Sequence, residues 1–185
     1  RNIRPFGPLF QTNSEDKGYG GARMYHSTSP DRLDNILSDG LQTSFTGDSQ
    51  LTPEIEAVLE KHRPEDNYPS RTTAIFTFSD IGMAKANSGD AVVSFKTSDA
   101  PCAGWGVHQA GELMGIANII RNSEEGDYDV DQDSLERSAK NFWVRDVAGP
   151  ITSEQDFQDA QDRIQLNLSE VYFPCSIPPD ILRVE

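Results

Sequence analysis

The chain is short of cations, of cysteines and of long apolar runs. Lys plus Arg number 16 against 30 Asp plus Glu, a net charge of −14 over 185 residues. A surface this acidic repels nucleic-acid phosphates and anionic membranes at ordinary salt. Asp outnumbers Glu and Arg outnumbers Lys, the bias expected of a salt-adapted protein. In molar salt that charge is screened and says little about partners. Two cysteines, Cys102 and Cys175, with no Cys-x-x-Cys between them, exclude a zinc site built from thiolates alone. Reduced thiols are the expectation for them, with one disulfide as the alternative. No apolar run reaches the length of a membrane span, so no membrane partner is expected. A Gly-rich phosphate loop and a Ser–His–Asp arrangement are missing too. Arg1 rather than Met opens the sequence, which suggests a trimmed or processed form or a piece of a longer protein.

What is present suits one globular domain of ordinary size. Residues 1–21, with Pro5, Pro8 and the Gly18–Gly21 cluster, read as an irregular N-terminal arm before a domain over 22–185. Ala22–Thr28 reads as a short strand. Ser29, Pro30 and Asp31 then start a helix with an apolar stripe of Leu33, Ile36 and Leu37, ended by Gly40 as a left-handed cap. Thr52 and Pro53 repeat that start for a helix burying Ile55, Val58 and Leu59. Strands are expected at Thr72–Phe78, Ala91–Thr97, Phe142–Arg145, Leu168–Pro174 and Ile181–Val184. Helices are expected over Ile81–Asn87, over 109–121, up to about Lys140, and after the Ser153 cap with Phe157, Ala160 and Ile164 inward. The stretch with Pro101, Gly104 and Gly106 and the acidic stretch Asn122–Ser134 read as loops. Short strands and helices mixed without strict alternation point to the α+β class.

Three segments carry chemistry. In Met24-Tyr25-His26-Ser27-Thr28 a histidine ends a strand just before a helix N-terminus, a corner that favours phosphates or ribose hydroxyls. In Ala74–Asn87, Phe76 and Phe78 lie on one strand face with Thr77 and Ser79 between and beyond them, and an aromatic there can stack on a flat ring. In Ser169-Glu170-Val171-Tyr172-Phe173-Pro174 a carboxylate sits inside an apolar strand, where it must face solvent or have a task. Period two puts Glu170 on a face with Leu168 and Tyr172. No metal is expected: Asp127, Asp129 and Asp131 have the spacing of a calcium loop, but Gln132 stands at its sixth position and Ser138 at its twelfth.

In order and spacing, Tyr-His-x-Thr, Ile-Leu-x-x-Gly-Leu, the aromatic strand with Ser-Asp and Lys-Ala-Asn, and Ser-Glu-Val-Tyr-Phe-Pro resemble the ADP-ribosyltransferase superfamily, in its His–aromatic–Glu branch with the diphtheria-toxin-like and poly-ADP-ribose-polymerase-like enzymes. The match runs over roughly residues 22–184. The resemblance implies an α+β fold with a split antiparallel β-sheet core and short flanking helices, holding NAD as substrate. It implies a mono-ADP-ribosyltransferase, a glycosyltransferase acting on a protein or nucleic-acid acceptor, in the setting of a toxin, defence factor or effector. Carried over, His26 would hold the adenosine-side ribose, Ser27 would meet the nicotinamide amide through its backbone, and Thr28 would lie alongside. Phe78, or else Phe76, would stack on nicotinamide, with Ser79 at the strand end. Arg71, like Arg23 and Lys85, would face phosphates, and Glu170 would be catalytic. The sequence departs from the pattern at Ser27, where the family often has Gly, and in Phe for the second-strand Tyr. Leu168 replaces the acid that arginine-modifying members carry, so arginine is a disfavoured acceptor. The alternatives are an NAD- or ADP-ribose-binding module without catalysis and an RNA 2′-phosphotransferase-like enzyme. The localisation stays open between the cytoplasm of a halophile and a secreted or phage-encoded effector.

Overall fold

Seven strands pair into one antiparallel sheet in a computed structural model that describes residues 22–43, 52–65, 67–87, 90–108, 116–117, 131–165, 168 and 170–185. The strands are β1 (Arg23–Thr28), β2 (Ile75–Phe78), β3 (Ala91–Lys96), β4 (Gly104–Val107), β5 (Val147–Ile151), β6 (Glu170–Phe173) and β7 (Arg183–Val184). Their spatial order is β5-β4-β6-β2-β1-β3-β7. Among the described residues the helices are α1 (Pro30–Asp39), α2 (Pro53–Lys61), α3 (Ile81–Asn87), α4 (Gln132–Asn141) and α5 (Glu154–Ile164). The class is therefore α+β, as the sequence implies. The N-terminal arm, the acidic stretch before Asp131 and most of the helix expected over 109–121 lie outside the described residues.

Punctuation residues set most of these boundaries. Ser153 caps α5 by accepting from the Asp156 N–H, and Asp131 caps α4 by accepting from the Asp133 N–H. Pro30 and Pro53 open α1 and α2, although neither Ser29 nor Thr52 makes a side-chain cap bond. Gly40 follows α1 at φ 81° and ψ −175°, a positive φ with an extended rather than helical ψ. A side chain there would run into the Ile177 carbonyl, which accepts the Leu41 N–H at 2.9 Å.

Two apolar layers cover the sheet. On one face Met24, Val93, Phe95, Val171 and Phe173 pack with Phe157 and Ala160 of α5 and with Ile177. On the other, Trp105, Val107 and Tyr172 pack with Ile55 and Leu59 of α2 and Leu135 and Ala139 of α4. Farther along that second face, Tyr25 and Val92 pack with Ala84 of α3. Val58 and Leu33, read as inward-facing, are only partly buried, and Leu37 is exposed.

Several expectations are corrected. Phe142–Arg145 is not a strand: the chain continues from α4 into a wider π-type turn, Phe142–Asp146. Phe142 and Trp143 are adjacent and both buried, which the two-fold alternation of a half-buried strand does not allow. The glycine-rich stretch read as a loop is strand β4. A Cβ at Gly104 would come within 2.7 Å of Val171 Cγ1 and 2.8 Å of Phe173 Cζ, so glycine lets β4 lie under these large side chains. β5 forms one edge of the sheet and contains Pro150 after a cis peptide bond from Gly149. Two-residue β7 forms the other edge, preceded by a 3-10 turn at Pro179–Ile181. The cysteines are not reduced: Cys102 and Cys175 are joined in a disulfide that ties the approach to β4 to the end of β6.

Candidate functional site

The three segments singled out in the sequence meet on neighbouring strands. β1 carries His26, β2 carries Phe76 and Phe78, and β6 carries Glu170; β2 lies between the other two. β2 and β6 pair over four residues, from Ile75↔Phe173 to Phe78↔Glu170. β1 and β2 pair at one position, Tyr25↔Phe78, whereas β1 and β3 pair over six. The sheet is thus weakly closed between β1 and β2. Tyr25, Phe78 and Glu170 form one cross-strand row, which Val107 of β4 extends.

His26 occupies that weak joint. Its Nδ1 lies 2.7 Å from the Phe76 carbonyl oxygen. A carbonyl only accepts, so Nδ1 carries the hydrogen, and in the neutral ring Nε2 is an acceptor. Burial pushes the His26 pKa below the usual imidazole value, an effect the Phe76 bond only partly offsets. The neutral ring therefore prevails near neutral pH. Because the unfolded chain binds this proton more readily, His26 removes stability as pH falls below 6.5 and adds none of that dependence above it. Wild type is expected to lose more stability between pH 6.5 and 5 than His26→Gln in urea titrations. Parallel pH profiles for the two proteins would contradict this.

Ser27 and Thr28 complete β1. Ser27 is half-buried, and among the described residues its hydroxyl has no hydrogen-bond partner. Thr28 is buried. Phe76 and Phe78 do share a face, as period two predicts: they pair with Tyr172 and Glu170. Phe76 stacks on Tyr172 with ring centres 4.2 Å apart, and Phe78 packs beside Tyr25 and Ala84. The intervening hydroxyls turn to backbone. Thr77 Oγ1 donates to the Val171 carbonyl at 2.7 Å, and Ser79 Oγ to the Leu168 carbonyl at 3.3 Å. Asp80 precedes α3, its Oδ1 accepting from the Gly82 N–H at 2.7 Å.

Glu170 is half-buried and shares a face with Tyr172, whose hydroxyl donates to Glu170 Oε2 at 2.7 Å. Leu168, read as lying on that same face, instead joins Val171 and Phe173 in the opposite core. β6 begins only at Glu170, so strand alternation does not reach back to it. Arg71 is buried. A turn closed by the Ala74 N–H on the Ser70 carbonyl, 2.8 Å, precedes β2 and carries it inward. Its Nη1 donates to the Tyr172 hydroxyl at 2.9 Å and its Nε to Glu56 Oε1 of α2 at 3.2 Å. The guanidinium also lies 5.8 Å from the Phe76 ring centre and 5.5 Å from that of Tyr172. Burial disfavours its charge, yet Tyr172 and Glu56 beside it outweigh that and hold its pKa up.

Tyr172 and Glu56 are the site residues that sequence reasoning missed. The Glu-x-Tyr spacing signals the first, because alternation puts both side chains on one face. Nothing local links Arg71 to Glu56. Among the described residues no group of His, Cys, Asp and Glu could hold a metal ion, and no helix is long and apolar enough to cross a membrane. Comparison with family models, with curated proteins and with solved structures finds no match.

Proposed function

We propose that this chain binds NAD, cleaves its nicotinamide–ribose bond and transfers ADP-ribose to a macromolecular acceptor. The observation that supports this most is the adjacency of β1, β2 and β6, which puts Phe76, Phe78 and Glu170 on one face of the sheet and His26, turned by strand alternation toward the other face, at the β1–β2 joint beside them. The single-position joint between β1 and β2 agrees with a split antiparallel core of the ADP-ribosyltransferase type. In the reaction the acceptor's nucleophilic X–H bonds to the ribose C1′ as the C1′–nicotinamide bond breaks. Nicotinamide departs neutral with the bonding pair, and a proton is released. The leaving group of NAD is already cationic, so no acid is required. The carboxylate of Glu170 would hydrogen-bond a ribose hydroxyl and favour the oxocarbenium-like charge that develops. Nε2 of neutral His26 would accept from the adenosine-side ribose, and Phe78 would stack on nicotinamide.

The acceptor is a protein or a nucleic acid. Core-packed Leu168 leaves no acid two residues before Glu170, which disfavours arginine as the modified residue. RNA 2′-phosphate transfer is weakened as an alternative, because Arg71 is committed to Glu56 and Tyr172. A binding module without catalysis is the second reading, favoured by Phe78 where the family has Tyr. The Cys102–Cys175 disulfide favours secretion into an oxidising compartment over a reducing cytoplasm.

Incubation with NAD at low and at molar salt, following free nicotinamide, tests the proposal. Release by wild type that falls about a hundredfold or more in Glu170→Gln is the expected result. NAD binding without release would leave the binding module. No binding and no release at either salt would end the NAD reading.

A further inference from the structure

We propose that Tyr172 and Arg71 act as positioning residues for Glu170, through a buried relay that starts at Glu56 on α2. This rests on the reading of Glu170 as the catalytic carboxylate, and it assigns Arg71 a task other than phosphate binding. The relay runs Glu56 Oε1 to Arg71 Nε, 3.2 Å; Arg71 Nη1 to Tyr172 Oη, 2.9 Å; Tyr172 Oη to Glu170 Oε2, 2.7 Å. Its direction is fixed by chemistry. A guanidinium only donates, so the Tyr172 oxygen accepts from Arg71, and its one hydrogen is committed to Glu170. A phenol polarised by a cation is a stronger donor than a phenol alone.

The relay is also held against rotation. The Tyr172 ring is fully buried, stacked on Phe76 at an interplanar angle of 18°. Arg71 and Glu56 side chains are 5% and 9% exposed. A half-buried glutamate has three rotatable bonds, and the Tyr172 hydroxyl selects the rotamer in which Oε2 reaches it. The carboxylate therefore meets a substrate ribose already oriented, without first losing rotamer freedom.

Tyr172→Phe tests this, because it removes one hydroxyl and keeps the stacked ring. Nicotinamide release is expected to show a kcat about tenfold lower with an unchanged KM for NAD. In the Glu170→Gln background the same substitution is expected to have no further effect, since the relay acts only through that carboxylate. An equal loss in both backgrounds would mean a merely structural role and would overturn the proposal. A second readout stands apart from activity. Three-bond NMR couplings to Cγ of Glu170 are expected to report one χ1 rotamer in wild type and averaging in Tyr172→Phe. Unchanged couplings would overturn the relay even if NAD is cleaved. Changed couplings in a protein that cleaves no NAD would uphold the relay and sink the transferase reading.

Discussion

Replacing Arg71 with Met is expected to lower the unfolding free energy by about 3–5 kcal/mol, the range for breaking one side of a buried ion pair. Arg71 and Glu56 are both almost fully buried, and their side chains meet at 3.2 Å between α2 and the turn before β2. Met fills much of the volume of the Arg stem, so lost packing is a small part of the cost. The larger part is a Glu56 carboxylate kept out of water without its cation, and a Tyr172 hydroxyl without the donor it accepts from. Attraction and desolvation nearly cancel in an intact buried pair. The double variant Glu56→Met/Arg71→Met is accordingly expected to recover most of the loss. Urea unfolding of wild type and of the single and double variants reads this directly. A single variant within about 1 kcal/mol of wild type would show that water reaches the pair and that the interior between α2 and β6 is not dry.

Opening the Cys102–Cys175 disulfide is the second large effect expected. The bridge spans a sequence separation of 73, and in the chain-entropy account a loop of that length is worth about 4 kcal/mol of restriction on the unfolded chain. Cys102 and Cys175 also pack against the core that holds Val171 and Phe173, so the bridge fastens the far end of the strand that begins with Glu170. Cys102→Ser/Cys175→Ser, or wild type held in a strong dithiol, is expected to unfold at clearly lower urea, with a loss of about 2–4 kcal/mol. Coincident unfolding curves with and without reductant would mean that the bridge restricts little.

How much of this was legible follows the range of the forces involved. Caps, helix starts and the strands around His26, Phe76 and Glu170 depend on residues within one or two turns, and the sequence announces them. Ser153 capping α5 and the shared face of Phe76 and Phe78 are read from spacing alone. β4 escaped because Gly104 and Gly106 are loop formers by composition. Paired with β5 and β6 they are strand residues, and they are glycine because Val171, Phe173 and Leu168 occupy the space a side chain would need, a condition set about 65 residues away. β5 escaped behind Gly149-Pro150, which reads as a turn but is tolerated on a sheet edge. At the site, alternation pairs Glu170 with Tyr172, but it extends wrongly to Leu168 because no pattern marks where β6 begins. The Arg71–Glu56 pair and the disulfide join residues that only the finished fold makes neighbours.

The two edges of the sheet have a consequence for how other molecules can approach. A chain that adds to a sheet needs a run of outward N–H and C=O groups to pair with. β5 interrupts that run with Pro150, which has no N–H, and β7 offers only Arg183 and Val184. Among the described residues, neither border presents a long uninterrupted run of such groups to a second copy or a foreign strand. At these two borders an approaching macromolecule is therefore met more by side chains than by backbone, and strand addition there has little to hold it.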